Sequence, residues 1–430
     1  MRRFLIILLV ILLVGAGIWF FYLKPKQSSG VSPVPNILKP FFPTSTSNGN
    51  SFGTDTGVLN GPTTNNSTST SPQPAFKQVS ARPVAGYTIF SQTNTVSIPS
   101  TPITTKPSSG KTALPATKPI VQTTTDHVLR YISRINGYVY EIRNNSVPLQ
   151  ITNILIPNVY EATFADANNT AVERFLRADN ETIATYTLPI PPLNSDGTRT
   201  QKTGTYLPDN IYNLAVSPDQ KQIARVTADQ TGGIVSLSNS IGTQIKTVIR
   251  SPFVEWLPLW SGNTLYIQTK ATGTANGFLY SVNQATSRLQ KVIGDVPGLT
   301  VSISPSGAYV LYSESTAGGF VTKILNTKTN SITNLGLVIL PEKCAWLQNE
   351  DLICAGNSSV PNNTYPDDWY AGVMHFSDQL YHIATKSNTY VVLYGGQQQS
   401  FDMTNLQVDE GQQIVYFIDK TTGYLWQMSY

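Results

Sequence analysis

The chain has 430 residues, 40% hydrophobic and 13% charged, with a net charge of +4, enough for two or three average domains or one long all-β unit. Ser, Thr, Asn, Gln and Tyr are plentiful while runs rich in Ala, Glu, Leu and Lys are missing, which argues against a helical bundle. Residues 24–125 carry eight Lys or Arg against one acid, Asp55, so the remaining body is mildly acidic, has no basic face for a phosphate backbone and is not expected to bind nucleic acid.

The N-terminus reads MRR-FLIILLVILLVGAGIWFFYL-KPK. Phe4 to Leu23 is an uncharged apolar run of about the 20 residues that a helix needs to cross a bilayer core. Trp19 and Tyr22 stand near its end, where amphipathic rings favour the interface. Gly15-Ala16-Gly17 lies inside the run and Lys24-Pro25-Lys26 follows, so residues 1–23 are expected to form an uncleaved signal-anchor rather than a cleaved signal peptide. Arg2, Arg3 and the terminal amine outweigh Lys24 and Lys26, which puts the N-terminus in the cytoplasm and the rest outside it, in a periplasm or at a cell surface. Residues 24–75 are Ser, Thr, Asn, Gly and Pro with too little apolar content to repay ordering, the composition of a disordered tether.

Past residue 125 the pattern becomes short alternating runs such as "VLRYISRI", "KQIARV", "TLYIQT" and "QIVYFID", separated by Gly, Asn or Asp turns, which is the strand signature. A second low-complexity stretch, 91–125, reads as an inserted loop. The strands repeat. "LAVSPDQKQIARV" (214–226) aligns with "VSISPSGAYVLYS" (301–313), and the same slot holds 162–175, 257–269, 344–356 and 405–417. A second hairpin follows each slot, at the period of four-stranded propeller blades. A seventh unit fits upstream, with "VAGYTIF" as its inner strand, and "AFKQVS" (75–80) is placed to complete the last blade, which ends one strand short. An all-β, seven-bladed β-propeller over 76–430 is expected, with six or eight blades as the neighbouring solutions; ring closure protects the sheet edges.

The turns Ser217-Pro218-Asp219 and Ser304-Pro305-Ser306-Gly307 resemble the Ser-Pro-Asp-Gly turn of the WD40-like repeats in TolB-type β-propellers. The resemblance covers the body as an architecture, but the letters survive in these two blades only. TolB's extra N-terminal domain is not evident, and a stalk stands in its place. What the resemblance implies is a fold and, by analogy alone, an envelope role.

Catalytic signatures are missing: the sequence has no Gly-x-Ser-x-Gly, Gly-x-Gly-x-x-Gly, P-loop or His-Glu-x-x-His, so neither an enzyme nor a cofactor is expected. His375 and His382 flank Asp378-Gln379 symmetrically, so a two-residue hairpin would set them opposite each other, yet two ligands without carboxylates make a poor metal site. The longest connection between a second and third strand, residues 357–372, gathers Tyr365, Asp367, Asp368, Trp369 and Tyr370, a mixture of rings and carboxylates suited to protein or glycan contacts. Its alternative reading is that Trp369 and Tyr370 open the third strand and pack inward. The loops "ADQTGG", "KATGTANG" and "ESTAGG" share that face.

Cys344 and Cys354, the only cysteines, are equidistant from Asn349 at the centre of a hairpin turn. That makes them facing partners, and a disulfide is expected if the body lies in an oxidising space, with two reduced core cysteines as the alternative. The functional expectation is a membrane-tethered, non-catalytic binding or scaffold propeller with a protein or glycan partner. A glycan-active enzyme built on scattered carboxylates such as Glu255, Glu314, Asp367 and Asp368, or a structural surface or pilus-associated subunit, are the alternatives.

Overall fold

The computed structural model describes residues 76–98, 120–194, 198–397 and 399–430. The expected anchor at 4–23 and tether at 24–75 lie outside these residues; among the described residues no helix is long and apolar enough to cross a membrane.

After a short strand β1 (Phe76–Gln78) the chain builds antiparallel four-stranded sheets one after another. Blade 1 holds β2 (Val84–Ile98), β3 (Ile120–Ser133), β4 (Val139–Arg143) and β5 (Leu149–Gln150). Blade 2 holds β6 (Val159–Ala165), β7 (Thr170–Leu176), β8 (Ile183–Pro189) and β9 (Thr205–Tyr206). Blade 3 holds β10 (Asn213–Val216), β11 (Ile223–Asp229), β12 (Gly232–Ser238) and β13 (Lys246–Ser251). Blade 4 holds β14 (Trp256–Ser261), β15 (Thr264–Thr269), β16 (Asn276–Asn283) and β17 (Arg288–Pro297). Blade 5 holds β18 (Val301–Ile303), β19 (Tyr309–Thr316), β20 (Gly319–Asn326) and β21 (Ser331–Asn334). Blade 6 holds β22 (Cys344–Trp346), β23 (Leu352–Gly356), β24 (Gln379–Ala384) and β25 (Thr389–Tyr394). Blade 7 holds β26 (Met403–Asp409), β27 (Ile414–Asp419) and β28 (Leu425–Ser429), and β1 supplies its outer strand. The chain is a seven-bladed β-propeller.

Closure has a physical anchor as well as a ladder. Phe76 pairs with Met428 and Gln78 with Trp426, while the Phe76 ring stands 4.7 Å from Tyr394 and 4.9 Å from Phe401. The two ends of the body are thus joined through the core between blades 6 and 7, which includes Leu380, Phe401, Met403 and Phe417. Comparable clusters fill the other junctions: Ile132, Val139 and Phe164 between blades 1 and 2, for instance, and Leu311, Leu352 and Tyr381 between blades 5 and 6. A single blade could not bury both of its faces; neighbours cover them in turn.

The Ser-Pro-Asp turns show why the letters matter. Ser217 Oγ donates to Asp219 Oδ1 at 2.6 Å and accepts from the Gln222 amide at 3.0 Å, closing the β10–β11 turn. Ser304 Oγ likewise accepts from the Tyr309 amide at 3.1 Å. The fourth turn position has positive φ in both, +58° at Gln220 and +75° at Gly307, where glycine has no Cβ penalty.

The boundaries of the 91–125 insertion need correction. β2 and β3 stay paired from Val84–Ser133 out to Ile98–Ile120, so both ends of that stretch are strand. The alternation of β-branched residues in "TNTVSI" and "IVQTTT" accounts for this. Arg143 steadies the base of the ribbon, donating to Gln92 Oε1 at 3.1 Å and Asp126 Oδ2 at 3.3 Å.

Candidate binding groove and its buried support

Second-to-third-strand connections and blade-to-blade links emerge on one face of the ring, the first-to-second turns on the other. On the first face three neighbouring connections meet: residues 270–275 of blade 4, 317–318 of blade 5 and 357–378 of blade 6. Between them runs an open groove of about 540 Å³ lined by Thr274, Ser315, Thr316, Asn362, Thr364 and Asp368, among others.

The walls touch through backbone. The Gly273 amide donates to Asp367 Oδ2 at 2.7 Å, and a Cβ on Gly273 would stand 2.5 Å from the Tyr365 carbonyl oxygen, so only glycine fits there. Ser315 Oγ donates to that same carbonyl at 2.5 Å. Asp368 Oδ2 accepts from the Thr364 amide at 2.8 Å.

The aromatic residues of the long loop do something other than face solvent. Asp367–Tyr370 forms one helical turn, α1, and the third strand starts later, at Gln379. Tyr365 is 1% exposed and Trp369 3%, in a cluster with Phe320, Leu340, Met374 and Phe376. These two rings are the loop's own core rather than ligand contacts, which for Trp369 is the inward packing given above as the alternative reading. Tyr370 is half-buried and donates its hydroxyl to Glu342. Asp367 and Asp368 keep partial exposure, and Asp368 lines the groove.

Beneath the loop lies an ion-pair network. Lys343, in the 3₁₀ turn Pro341–Lys343 that leads into β22, is 1% exposed. Its ammonium sits 2.8 Å from Asp378 Oδ2 and 2.5 Å from Asp402 Oδ1. Asp378 Oδ2 also accepts from the Met403 amide at 2.6 Å. Asp402 accepts from the Trp369 indole N–H, at 3.1 and 3.0 Å from its two oxygens, and from the Phe376 amide at 3.3 Å. His375 Nδ1 is 3.4 Å from Asp402, and Lys420 donates to the Trp369 carbonyl at 2.7 Å.

Burial alone would drive the Lys343 ammonium down, but the Asp378 and Asp402 carboxylates reverse this and hold its pKa above the ordinary value. Burial raises Asp378 to about 7 in spite of Lys343, and lowers Lys420 to about 8. The network ties the blade 5–6 link, the long loop, the blade 6–7 link and the end of β27 together.

His375 and His382 do not face each other. His375 lies in the loop beside Asp402, whereas His382 sits within β24, 3.6 Å from Asp351. Asp378, expected at the tip of a solvated turn, is fully buried. Lys343, Asp378 and Asp402 gave no pattern signal, because each stands just outside a strand where sequence predicts only a loop.

In blade 6 Cys344 pairs with Cys354 across β22 and β23 and the two are disulfide-bonded, with Cα atoms 4.1 Å apart.

No protein-family model and no curated protein matches the chain. Among solved structures it is similar to TolB from Acinetobacter baumannii, at 12% identity and a TM-score of 0.39, covering 62% of this chain and 61% of that one. The chain thus spans under two thirds of that TolB's length. It is also similar to the β-propeller domain of Myceliophteria thermophila Cps50 (Swd1), at 11% identity and a TM-score of 0.44, covering 70% and 93%. Oligogalacturonate lyase in complex with manganese is similar at 10% identity and a TM-score of 0.46, covering 71% and 85%. The structural neighbours thus include TolB, WD40 domains and oligogalacturonate lyase. At these identities the likeness concerns the fold, and the propeller's function has to be argued from its own side chains.

The four carboxylates named above as candidates for a glycan-active enzyme are each engaged locally. Glu255 pairs with Lys270 at 2.9 Å, Glu314 with Lys323, and Asp367 and Asp368 hold backbone amides of the groove wall. The groove is polar: amide and hydroxyl groups line it together with the Asp368 carboxylate.

Proposed function

We propose that the chain is a membrane-tethered, extracytoplasmic β-propeller that acts as a non-catalytic binding or scaffold module at the cell envelope. The observation that carries this reading is the groove on the loop-rich face, shaped by three blades and held from below by the buried Lys343–Asp378–Asp402 network. Its Thr, Ser and Asn groups suit hydrogen bonding to a peptide backbone or to sugar hydroxyls. The firm support means that little ordering entropy is lost on binding.

The disulfide between the only two cysteines supports an oxidising compartment, and the apolar run at 4–23 supports tethering to a membrane. Phe76 enters the ring beside Met428, at the end of β28 away from the loop-rich face.

The test is site-specific photo-crosslinking in the native membrane. A photoreactive residue is placed at Thr364 on the groove rim, or at Thr329 in the β20–β21 turn on the opposite face; both positions are exposed. A discrete adduct from Thr364 that is absent from Thr329 is expected. The same adducts from both positions, or none from Thr364, would refute the groove as the binding site.

A further inference from the structure

The outer strand of each blade has an open edge, and an exposed edge is a template for pairing with another chain. Most outer strands here are blunted. β1, β5 and β9 have only two or three residues and β21 has four, Ser-Ile-Thr-Asn. The longer β13 carries Lys246 and Arg250, and β17 carries Arg288, Lys291 and Asp295. β25 departs from this pattern. Its six residues, Thr-Tyr-Val-Val-Leu-Tyr, include no charge and no proline. Tyr390, Val391 and Val392 are 48%, 62% and 50% exposed. β25 pairs with β24 alone, and among the described residues no strand covers its other edge.

The strand is also self-complementary. Two copies that pair antiparallel about a two-fold axis normal to the sheet must centre on a residue, since directly opposed side chains share a face. Centred on Val391, that axis sets Val391 against the second copy's Val391 and, twice, Tyr390 against the second copy's Val392. Aromatic–β-branched pairs of this kind are among the favourable cross-strand combinations. Without charges, the edge meets its own copy free of repulsion, whereas β13 or β17 would bring Lys and Arg side chains of both copies together. The platform is stiff: the register runs from Cys344 to Cys354, Tyr381 and Val392 straight across the blade, so the disulfide lies in line with the edge. Tyr381 holds the Tyr390 ring edge-on at 5.5 Å.

We infer that β25 is a homotypic docking edge, at which a second copy of this chain pairs its own β25 to form one continuous sheet across two sixth blades. The inference is independent of the groove. Its test uses Val391→Cys in the full chain, with Ile332→Cys on the outer strand of blade 5, 59% exposed, as the control. The native cysteines are already joined, so each variant has one free thiol. Under mild oxidation in membranes, V391C is expected to form a disulfide-linked homodimer and I332C to stay monomeric. In detergent the unsubstituted chain should sediment as a dimer in a concentration-dependent way, and Val391→Lys, which opposes two ammonium groups on the axis, should sediment as a monomer. Equal dimer yields from V391C and I332C, a dimer that survives V391K, or V391C captured by a different protein in place of its copy would each overturn the inference.

Discussion

Glu173 lies on β7 with 0% exposure, and neither carboxylate oxygen has a hydrogen-bond partner. It sits between Ala171 and Phe175 on the face that packs into the blade 1–2 core, near Ile156 and Gly137. Burial alone pushes its carboxyl up to about 8. An unfolded glutamate loses its proton near 4.3, so between about 4.3 and 8 the folded state holds a proton that the unfolded state has released. Stability therefore falls as pH rises through that window, by about 1.4 kcal/mol per unit, and levels off above the folded pKa. By pH 7 the accumulated loss is about 3.6 kcal/mol, of which about 3 kcal/mol falls above pH 4.5. Glu173→Gln keeps the shape and removes the titration. The variant and the parent should have similar stability near pH 4.5, and the variant should lead by about 3 kcal/mol at pH 7. Urea unfolding of both proteins, followed by tryptophan fluorescence at pH 5, 6, 7 and 8, measures the difference; groups common to both, such as Asp378, cancel. A difference that stays constant across the series would refute the assignment of a neutral, unpartnered carboxyl in the core.

Three further outcomes follow from the packing. Reducing the Cys344–Cys354 bond, or replacing both cysteines by alanine, should cost about 3 kcal/mol by loop-closure entropy, and urea midpoints with and without reductant check this. Phe76→Ala removes the ring that locks the closing strand, and a loss of about 2–3 kcal/mol is expected, less than for a fully buried ring, read as a lower thermal midpoint. Lys343→Met strands two buried carboxylates, for a loss of about 3–5 kcal/mol. The same variant should open residues 357–378 to limited proteolysis, and cleavage there no faster than in the parent would show that the network does not hold the loop.

The ring was legible because a blade is a local object. Each hairpin slot alternates apolar and polar residues around a tight turn, so Ala162, Leu214, Leu257, Val301, Cys344 and Asn405 could be aligned without knowing what they touch, and each falls in the inner strand of its blade. The closing strand was legible for a similar reason: blade 7 lacks one strand at its C-terminal end, and "AFKQVS" has the outer-strand pattern. The cysteine pairing followed from equal distances to a turn, and the register Cys344–Cys354 bears it out.

The site was less legible, because its decisive property is orientation. Composition showed rings and carboxylates in residues 357–372 and could not show that Tyr365 and Trp369 turn inward. They do so because Asp402, contributed by the next blade, offers the Trp369 indole an acceptor, and because Phe320, from the preceding blade, supplies an apolar wall. Lys343, Asp378 and Asp402 are 35 and 24 residues apart along the chain and meet only because the ring brings two blade links and one loop to a common point. Two buried carboxylates sharing one ammonium cost desolvation that hydrophobic residues would have avoided, but the hydrogen bonds they accept from Trp369, Phe376 and Met403 hold one arrangement. Here the arrangement fixed is that of the long loop over blades 5 and 6, the element that gives the groove its outer wall. The polar core beneath the loop and the polar rim above it are thus parts of one construction.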